Sequence, residues 1–403
     1  MYLGIGLGIT RLSGVLGPAP FSPLDLFASG EEGAWYDPSD LTTLYQDAAG
    51  TTPVTGTGQP VGLMLDKSKG LTLGPEAVTN GTFDTDISGW STHGGGAALS
   101  WNAGRLLCST TSSFNGAKQA ITTVAGKTYL ASITVYPNGS SELRIGVGDG
   151  ANLSDIQLFI ESPSVTKTYS FYFKALSSTT TVSVTAGNLP VTGSFEVDNV
   201  TVKELPGNHA TQSTSTARPT LQLSGSSYYL DFDGVDDYME MTLASAQPQP
   251  VSLACSWKQD AIGTFNFIYD GVSDSYTRHV LRSTNAGPVY QIGGPTITTT
   301  SFTADTSEHV SVYLAPNGSD YTFKLNGQTE TGTGIGANSW GALTLGSWYQ
   351  QTQYWLDGRI YGFIGINRSL DPDEITSVES YLADKTGAFT APVITGVPTI
   401  SVS

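Results

Sequence analysis

At 403 residues the chain is too long for one ordinary sandwich, since domains run to roughly 100–200 residues, and two or three cores are expected. Only 13% of residues are charged and 47 are glycine, a composition rich in Thr, Ser and Tyr that disfavours helix and favours strands joined by turns, so the class is all-β. Acidic residues outnumber basic ones 35 to 18, a net charge of −17 that repels a phosphate backbone and argues against a nucleic-acid partner.

Residues 1–33 are rich in glycine and proline, with Gly4, Gly6 and Gly8 alternating with apolar residues before Gly-Pro-Ala-Pro-Phe-Ser-Pro at 17–23. Such a stretch buries no core of its own and reads either as an arm anchored on a larger assembly or as a flexible tail. The opening residues carry no basic segment, and no run of 18 apolar residues occurs, so neither a secretion signal nor a membrane span is expected. An adhesive β-protein without a signal must leave its cell another way, for instance by assembly into a particle released at lysis.

Residues 34–70 form a leader. Asp37-Pro-Ser-Asp40 supplies turn chemistry, Leu41, Leu44 and Tyr45 have the spacing of one helical turn, and Pro60–Gly70 follows. Residues 75–205 read as a self-contained unit. Inside it, alternating runs at Thr128–Tyr136, Thr168–Phe173 and Thr180–Thr185 are separated by Asn-Gly, Gly-Asp-Gly and Gly-Asn turns, the pattern of an antiparallel sandwich.

Within residues 207–388 a second strand set begins at Tyr228 and includes Val251–Trp257, Phe265–Tyr269, Val310–Leu314, Tyr321–Leu325 and Arg359–Gly365, with Asn326-Gly327 as a hairpin turn. Asp371, Pro372 and Glu374 start one short helix and Gly387 stops it. The tail 389–403 is expected to be extended. The architecture expected is thus two antiparallel β-sandwiches, a jelly roll inserted ahead of a second sandwich, with an extended N-terminal arm and one C-terminal helix. Cys108 and Cys255 fall in different units, so a disulfide framework is absent and both read as buried small hydrophobes.

Three resemblances rest on named residues. Tyr229-Leu-Asp-Phe-Asp-Gly-Val-Asp-Asp237 and Leu356-Asp-Gly-Arg-Ile-Tyr-Gly-Phe-Ile-Gly, continuing to Ile375, resemble the concanavalin A-like, laminin-G-like lectin domains. Ala77-Val-Thr-Asn-Gly-Thr-Phe-Asp84, reaching Trp90, and Phe195-Glu-Val-Asp-Asn-Val-Thr-Val202 are similar to carbohydrate-binding jelly rolls of the galactose-binding-like type, which implies a structural calcium with Asp198 and Asp84 as ligands. The leader pieces Gly33-Ala-Trp-Tyr-Asp37, Gln46-Asp47, Gly58–Gly62, Leu65-Asp-Lys-Ser68 and Gly207-Asn-His209 resemble a module of phage virion proteins, here split by the jelly roll.

Sugar binding needs a solvent-facing aromatic plate beside amides and carboxylates. Trp90, Trp101 and Tyr136 in the jelly roll, and Trp348, Tyr349 and Tyr354 beside Gln350, Gln351 and Gln353, are the candidates. Catalysis is not expected: no Glu-x-Asp-x-x-Glu run supplies a glycosidase pair, no Gly-x-Ser-x-Gly elbow occurs, and Glu196 with Asp198 reads as structural or calcium-binding. His93, His209, His279 and His309 lack metal spacing and read as surface or loop residues. Asp233-Gly-Val-Asp-Asp237 reads as a turn rather than a calcium loop.

The resemblance of the leader implies a phage virion structural protein (decoration, fibre or tail) on the particle surface. It would be made in the host cytoplasm, contact other virion proteins through residues 1–33, form a homo-oligomer, for which a trimer is favoured, and attach to host or environmental glycans. A glycan depolymerase and a purely structural component are the alternatives.

Overall fold

The computed structural model describes residues 21–138, 142–149, 153–187, 193–262, 265–271, 279–284, 287–293 and 297–390. These form two antiparallel β-sandwiches with a single α-helix, Pro372–Thr386, and three short 3-10 turns. The expected all-β class and helix are observed. Asp371 accepts from the amides of Asp373 and Glu374, Glu374 reaches back to the cap, and Gly387 closes the helix at φ 67°.

The larger sandwich has two sheets. One runs in the order Thr220–Ser224, Ser227–Asp233, Asp357–Ile366, Val251–Gln259, His309–Ala315, Asp320–Leu325, Gln328–Thr333, and Gly33–Tyr36 also pairs with Asp357–Ile366. The other contains Leu44–Tyr45, Leu63–Met64, Ala210–Thr211, Met239–Gln247, Trp340–Leu345, Phe267–Asp270, Val280–Thr284, Gly287–Gly293 and Ile297–Thr303 in that order. Period-2 alternation decides what each face buries. Tyr36, Phe232, Trp257, Tyr269, Trp340 and Phe363 fill the space between the sheets, while Trp35, Val310, Val312 and Ile364 face outward beneath Val378 and Leu382 of the helix.

The jelly roll lies inside a hairpin of this sandwich. Leu63–Met64 and Ala210–Thr211 are adjacent antiparallel strands, with Met64 opposite Ala210 and Leu63 opposite Thr211, so the inserted unit occupies the loop between them. A folded insert whose ends meet costs little chain entropy. Its ends do meet: the Ala77 amide donates to the Val202 carbonyl at 2.9 Å and the Gly74 amide to Glu204 at 2.8 Å. Its two sheets run Lys167–Lys174, Thr128–Tyr136, Gly193–Glu204, Leu106–Thr110, Ala97–Trp101 and Gln157–Glu161, Leu143–Gly148, Thr179–Ala186, Gly116–Thr122, Ser91–His93.

The base of the insert is held by one buried carboxylate. Asp66 Oδ1 accepts from the amides of Trp35 and Ser68, both at 2.8 Å, and Oδ2 accepts from the Asn208 amide at 2.7 Å and the Ser68 hydroxyl at 2.8 Å. The Asp66 amide donates to His209 Nδ1 at 2.9 Å, and His209 Nε2 lies 3.2 Å from the Leu205 carbonyl, which fixes the neutral tautomer with the proton on Nε2. Burial pushes Asp66 up to about 6 against these four donors. Burial also pulls His209 down to about 4, and the charge of Lys174 acts in the same direction.

Two sequence expectations need correction. Residues 21–33, placed in the arm, are packed: Leu26 and Phe27 are buried against Trp35 and the helix, because the Pro23–Phe27 turn, capped by Ser22, aims them inward. Residues 1–20 and 391–403, and with them most of the arm and the tail, lie outside the described residues. His209, His279 and His309 are buried rather than surface residues; His309, for one, is held by Tyr290 and Asp305. Cys108 and Cys255 are free and buried, as expected.

Asp66→Ala strands three backbone donors and should cost roughly 3 kcal/mol or more in urea unfolding. His209→Asn should destabilise most at neutral pH. The folded His209 pKa lies below the ordinary 6.5, so its contribution is full above that value and is lost as pH falls toward 4. The wild-type advantage over His209→Asn, measured at pH 7.5, 5.5 and 4.5, should therefore shrink with acidification.

Candidate functional site

On the larger sandwich, the loop after Trp340–Leu345 leaves and returns at one point, where the Leu356 amide donates to the Gly346 carbonyl at 2.8 Å. Within it Gln351 (φ 54°) and Tyr354 (φ 64°) adopt left-handed backbone, which folds the loop tightly and turns the Tyr354 ring outward, 37% exposed. Tyr354 stacks nearly parallel to Phe267 at 5.9 Å, meets Phe265 edge-on at 5.0 Å and lies 5.7 Å from Trp348, which is edge-on to Tyr349 at 5.0 Å. The Arg282 guanidinium lies 4.8 Å from the Phe265 ring centroid and 5.0 Å from that of Phe267, backing the cluster. Trp348, Tyr349 and Tyr354, separate candidates in the sequence, are thus one cluster.

Tyr354 forms one wall of a recess of about 280 Å³ whose other lining includes Phe265, Trp355, Asn266, Asp233 and Asp357. The carboxylates come from paired strand ends, Asp233 standing opposite Asp357. Asp357 is raised by burial and by the charges of Asp260 and Asp233. Asp233 Oδ1 accepts from the Val235 amide at 2.8 Å, and the Asp237 carboxylate accepts from the Asp233 amide at 3.1 Å, so this segment is the expected turn. Asp233, Asp236 and Asp237 also bring carboxylate oxygens within 4.8 Å of one another. An aromatic plate facing hydroxyl-accepting carboxylates suits a neutral sugar and repels an acidic one.

The jelly roll divides its candidates. Trp90 is buried at 8% exposure in the core, 5.4 Å from Phe83, and offers no plate to solvent. Trp101 is 46% exposed, and its indole N–H donates to the Phe83 carbonyl at 2.7 Å. Tyr136 is half-buried, with the Arg105 guanidinium 3.7 Å from its ring centroid and bridged to Glu196 at 2.9 Å, so that ring face is already covered.

Sequence reasoning missed the groove on the opposite sheet. Phe114, 44% exposed at φ 59°, stands beside His93, Arg144, Leu158, Ser183 and Thr185 around a recess of about 270 Å³, with Arg144 5.2 Å from the Phe114 ring. Arg144, half-buried between fully buried Leu143 and Ile145, turns away from the core, a signal available in the sequence, whereas Ser183 and Thr185 are buried on a strand that shows no such alternation. Phe114 itself lies in a Ser-Ser-Phe-Asn-Gly turn, where an aromatic side chain finds no core.

The closing strand bulges between Asp198 and Thr201, and Asp84 is near enough for its charge to be felt at Asp198. Burial and then the charge of Asp84 raise Asp198, opposed by the Asn199 amide and Arg105. With the Thr82 hydroxyl 3.0 Å from Asp84 Oδ2, the donors are oxygens of the kind calcium takes. Among the described residues no helix is long and apolar enough to cross a membrane.

No family model and no curated protein matches the chain. Solved structures that it resembles include a CBM4 module (16% identity, covering 32% of this chain and 99% of that one, TM-score 0.27). Others are the C-terminal family 22 carbohydrate-binding module of Clostridium thermocellum Xyn10B (22% identity, 32% and 97%, TM-score 0.26) and the botulinum neurotoxin serotype D binding domain (11% identity, 43% and 50%, TM-score 0.31).

If the recess is built around one plate, Tyr354→Phe should leave the fold and the stacking cluster unchanged. Tyr354→Ala should raise the fluorescence accessibility of Trp348 and Trp355 to acrylamide without a loss of cooperative unfolding.

Proposed function

We propose that this protein is a non-catalytic glycan-binding component of a phage particle surface, in which the larger sandwich presents the Tyr354 recess to host or environmental polysaccharide and the jelly roll adds a second contact at Phe114. The observation that carries the binding reading is the exposed Tyr354 ring sharing one recess with Asp233, Asp357 and Asn266. The particle assignment is supported by the leader motifs Gly33–Asp37, Leu65–Ser68 and Gly207–His209, which meet around Asp66 as one structural unit although the insert separates them in sequence. Assembly with other virion proteins through the N-terminal segment, and a trimeric state, belong to the same proposal.

Binding to a panel of neutral polysaccharides by affinity electrophoresis should show retardation that Tyr354→Ala weakens roughly tenfold, the size of about 1–1.5 kcal/mol for one aromatic face. Retardation that is unchanged in both Tyr354→Ala and Phe114→Ala would sink the reading. Calcium at Asp198 and Asp84 would hold the closing strand to the opening loop. Added calcium should raise the melting temperature, and Asp198→Asn should abolish that rise.

A depolymerase reading is favoured by one observation, the Asp233 and Asp357 carboxylates facing one recess, since glycosidases use such pairs. Prolonged incubation that shortens the polymer, and no longer does so with Asp357→Asn, would establish it over simple binding.

A further inference from the structure

The seam between the two sandwiches contains a recess of about 340 Å³ that draws its walls from both. The jelly roll contributes Lys127, Thr128 and Lys174, the larger sandwich contributes Glu240 and Thr242, and the return segment contributes Asn208 and His209. The seam is held together beside it: the Tyr172 amide donates to the Ala49 carbonyl at 2.7 Å, and the Tyr172 and Tyr45 hydroxyls lie 3.1 Å apart. Leu63, Leu65 and Leu205 pack beneath these tyrosines.

The charges in this recess run against the rest of the molecule. Carboxylates outnumber basic residues 35 to 18. Lys67, Lys69, Lys167, Lys258, Lys324 and Lys385 each pair with one. Among the described residues Lys118, Lys127, Lys174 and Lys203 do not, and two of these four line the same recess. The strand register places Lys174 opposite Thr128, and the Ala175 amide donates to the Lys127 carbonyl at 2.9 Å, so the two lysines leave the sheet at the same end. Lys174 is close enough for its charge to be felt at His209 on the recess wall. The one carboxylate in the lining, Glu240, accepts from Gln351 Nε2 at 2.7 Å.

We propose that this seam binds an acidic saccharide, with the uronate carboxylate held between Lys127 and Lys174 and its ring hydroxyls donating to Glu240 and the Asn208 side-chain oxygen. Two unpaired ammonium groups give a site for a carboxylate, and the accepting groups on the facing wall suit the hydroxyls such a ligand also carries. Because both sandwiches and the return segment line the site, ligand in it also braces one module against the other. The ligand class rests on the glycan reading above, whereas the site is separate from the acidic Tyr354 recess, which disfavours the same ligand.

The test is calorimetric titration of the full chain with a glucuronate-containing oligosaccharide, its carboxyl-reduced neutral counterpart, and inorganic phosphate. The acidic oligosaccharide should bind at least tenfold more tightly than the neutral one, and the affinity should fall as sodium chloride rises from 50 to 500 mM. The double variant Lys127→Ala/Lys174→Ala should lose at least tenfold, and Tyr354→Ala should lose nothing. Lys174 is exposed and Lys127 half-buried, and neither forms an ion pair among the described residues, so the variant should fold; retained melting temperature checks this, and Lys127→Gln/Lys174→Gln serves as a second variant. Acidic binding that survives both double variants, no preference for the acidic over the neutral ligand, or phosphate binding as tightly as the uronate would each overturn the proposal. If any of these occurs while neutral polysaccharide is still retarded through Tyr354, the seam has failed and the broader binding reading has not.

Discussion

A single buried carboxylate carries the connectivity of this protein. Asp66 accepts from Trp35, Ser68 and Asn208, and its own amide fixes His209. Two of these partners precede the insert and two follow it. A carboxylate removed from water needs its lone pairs filled, and here all the donors but one hydroxyl are backbone amides, whose positions are set by the chain itself. The same geometry brings Asn208 into reach of Gly33, to whose carbonyl its side chain donates at 2.7 Å, and the Tyr36 hydroxyl into reach of the Asn208 carbonyl. Without this clasp the strands Leu63–Met64 and Ala210–Thr211, each two residues long, would have little to hold them in register across the jelly roll.

The leader that supplies Asp66 is tied in turn to the C-terminal helix. Asp37 accepts from the Lys385 ammonium at 2.6 Å and the Tyr381 hydroxyl at 2.8 Å, while Lys67 pairs with Asp40 at 2.7 Å and lies 4.4 Å from the Trp35 ring. The Lys385 charge and these hydrogen bonds hold Asp37 low despite its burial. Such partly buried, hydrogen-bonded pairs contribute more than exposed ones because screening is reduced. The larger sandwich also carries left-handed backbone at Gln351 and Tyr354, in the loop closed by Leu356 on Gly346.

Electrostatics distributes the surface roles. Asp231, Asp233, Asp237, Asp260 and Asp357 gather at one end of the larger sandwich, where burial and mutual repulsion raise Asp237 to about 7 and also raise Asp231 and Asp357. Of the four lysines without a carboxylate partner among the described residues, Lys127 and Lys174 line the seam recess, Lys203 lies on the same jelly-roll sheet as Lys174, and Lys118 lies on the other sheet. The two recesses therefore differ in the sign of the field that a ligand meets, although both sit on the same class of fold.

The fold class, the helix with its caps and the hairpin at Asn326-Gly327 were legible in the sequence because each depends on neighbours a few residues apart: alternation, capping chemistry and turn preference are local. The clustering of Trp348, Tyr349 and Tyr354 was partly legible for the same reason. The burial of Trp90, the covering of Tyr136 by Arg105, the exposure of Phe114 and the packing of Leu26 and Phe27 were not, since solvent access is set by which distant strand lies across a residue. Asp66 shows the division most clearly. By itself the sequence determined that an aspartate stands in a Leu-Asp-Lys-Ser turn ahead of an inserted sandwich; only the tertiary structure decided that it is buried and bonded to residues more than 140 positions away, because the insert returns the chain to where it left.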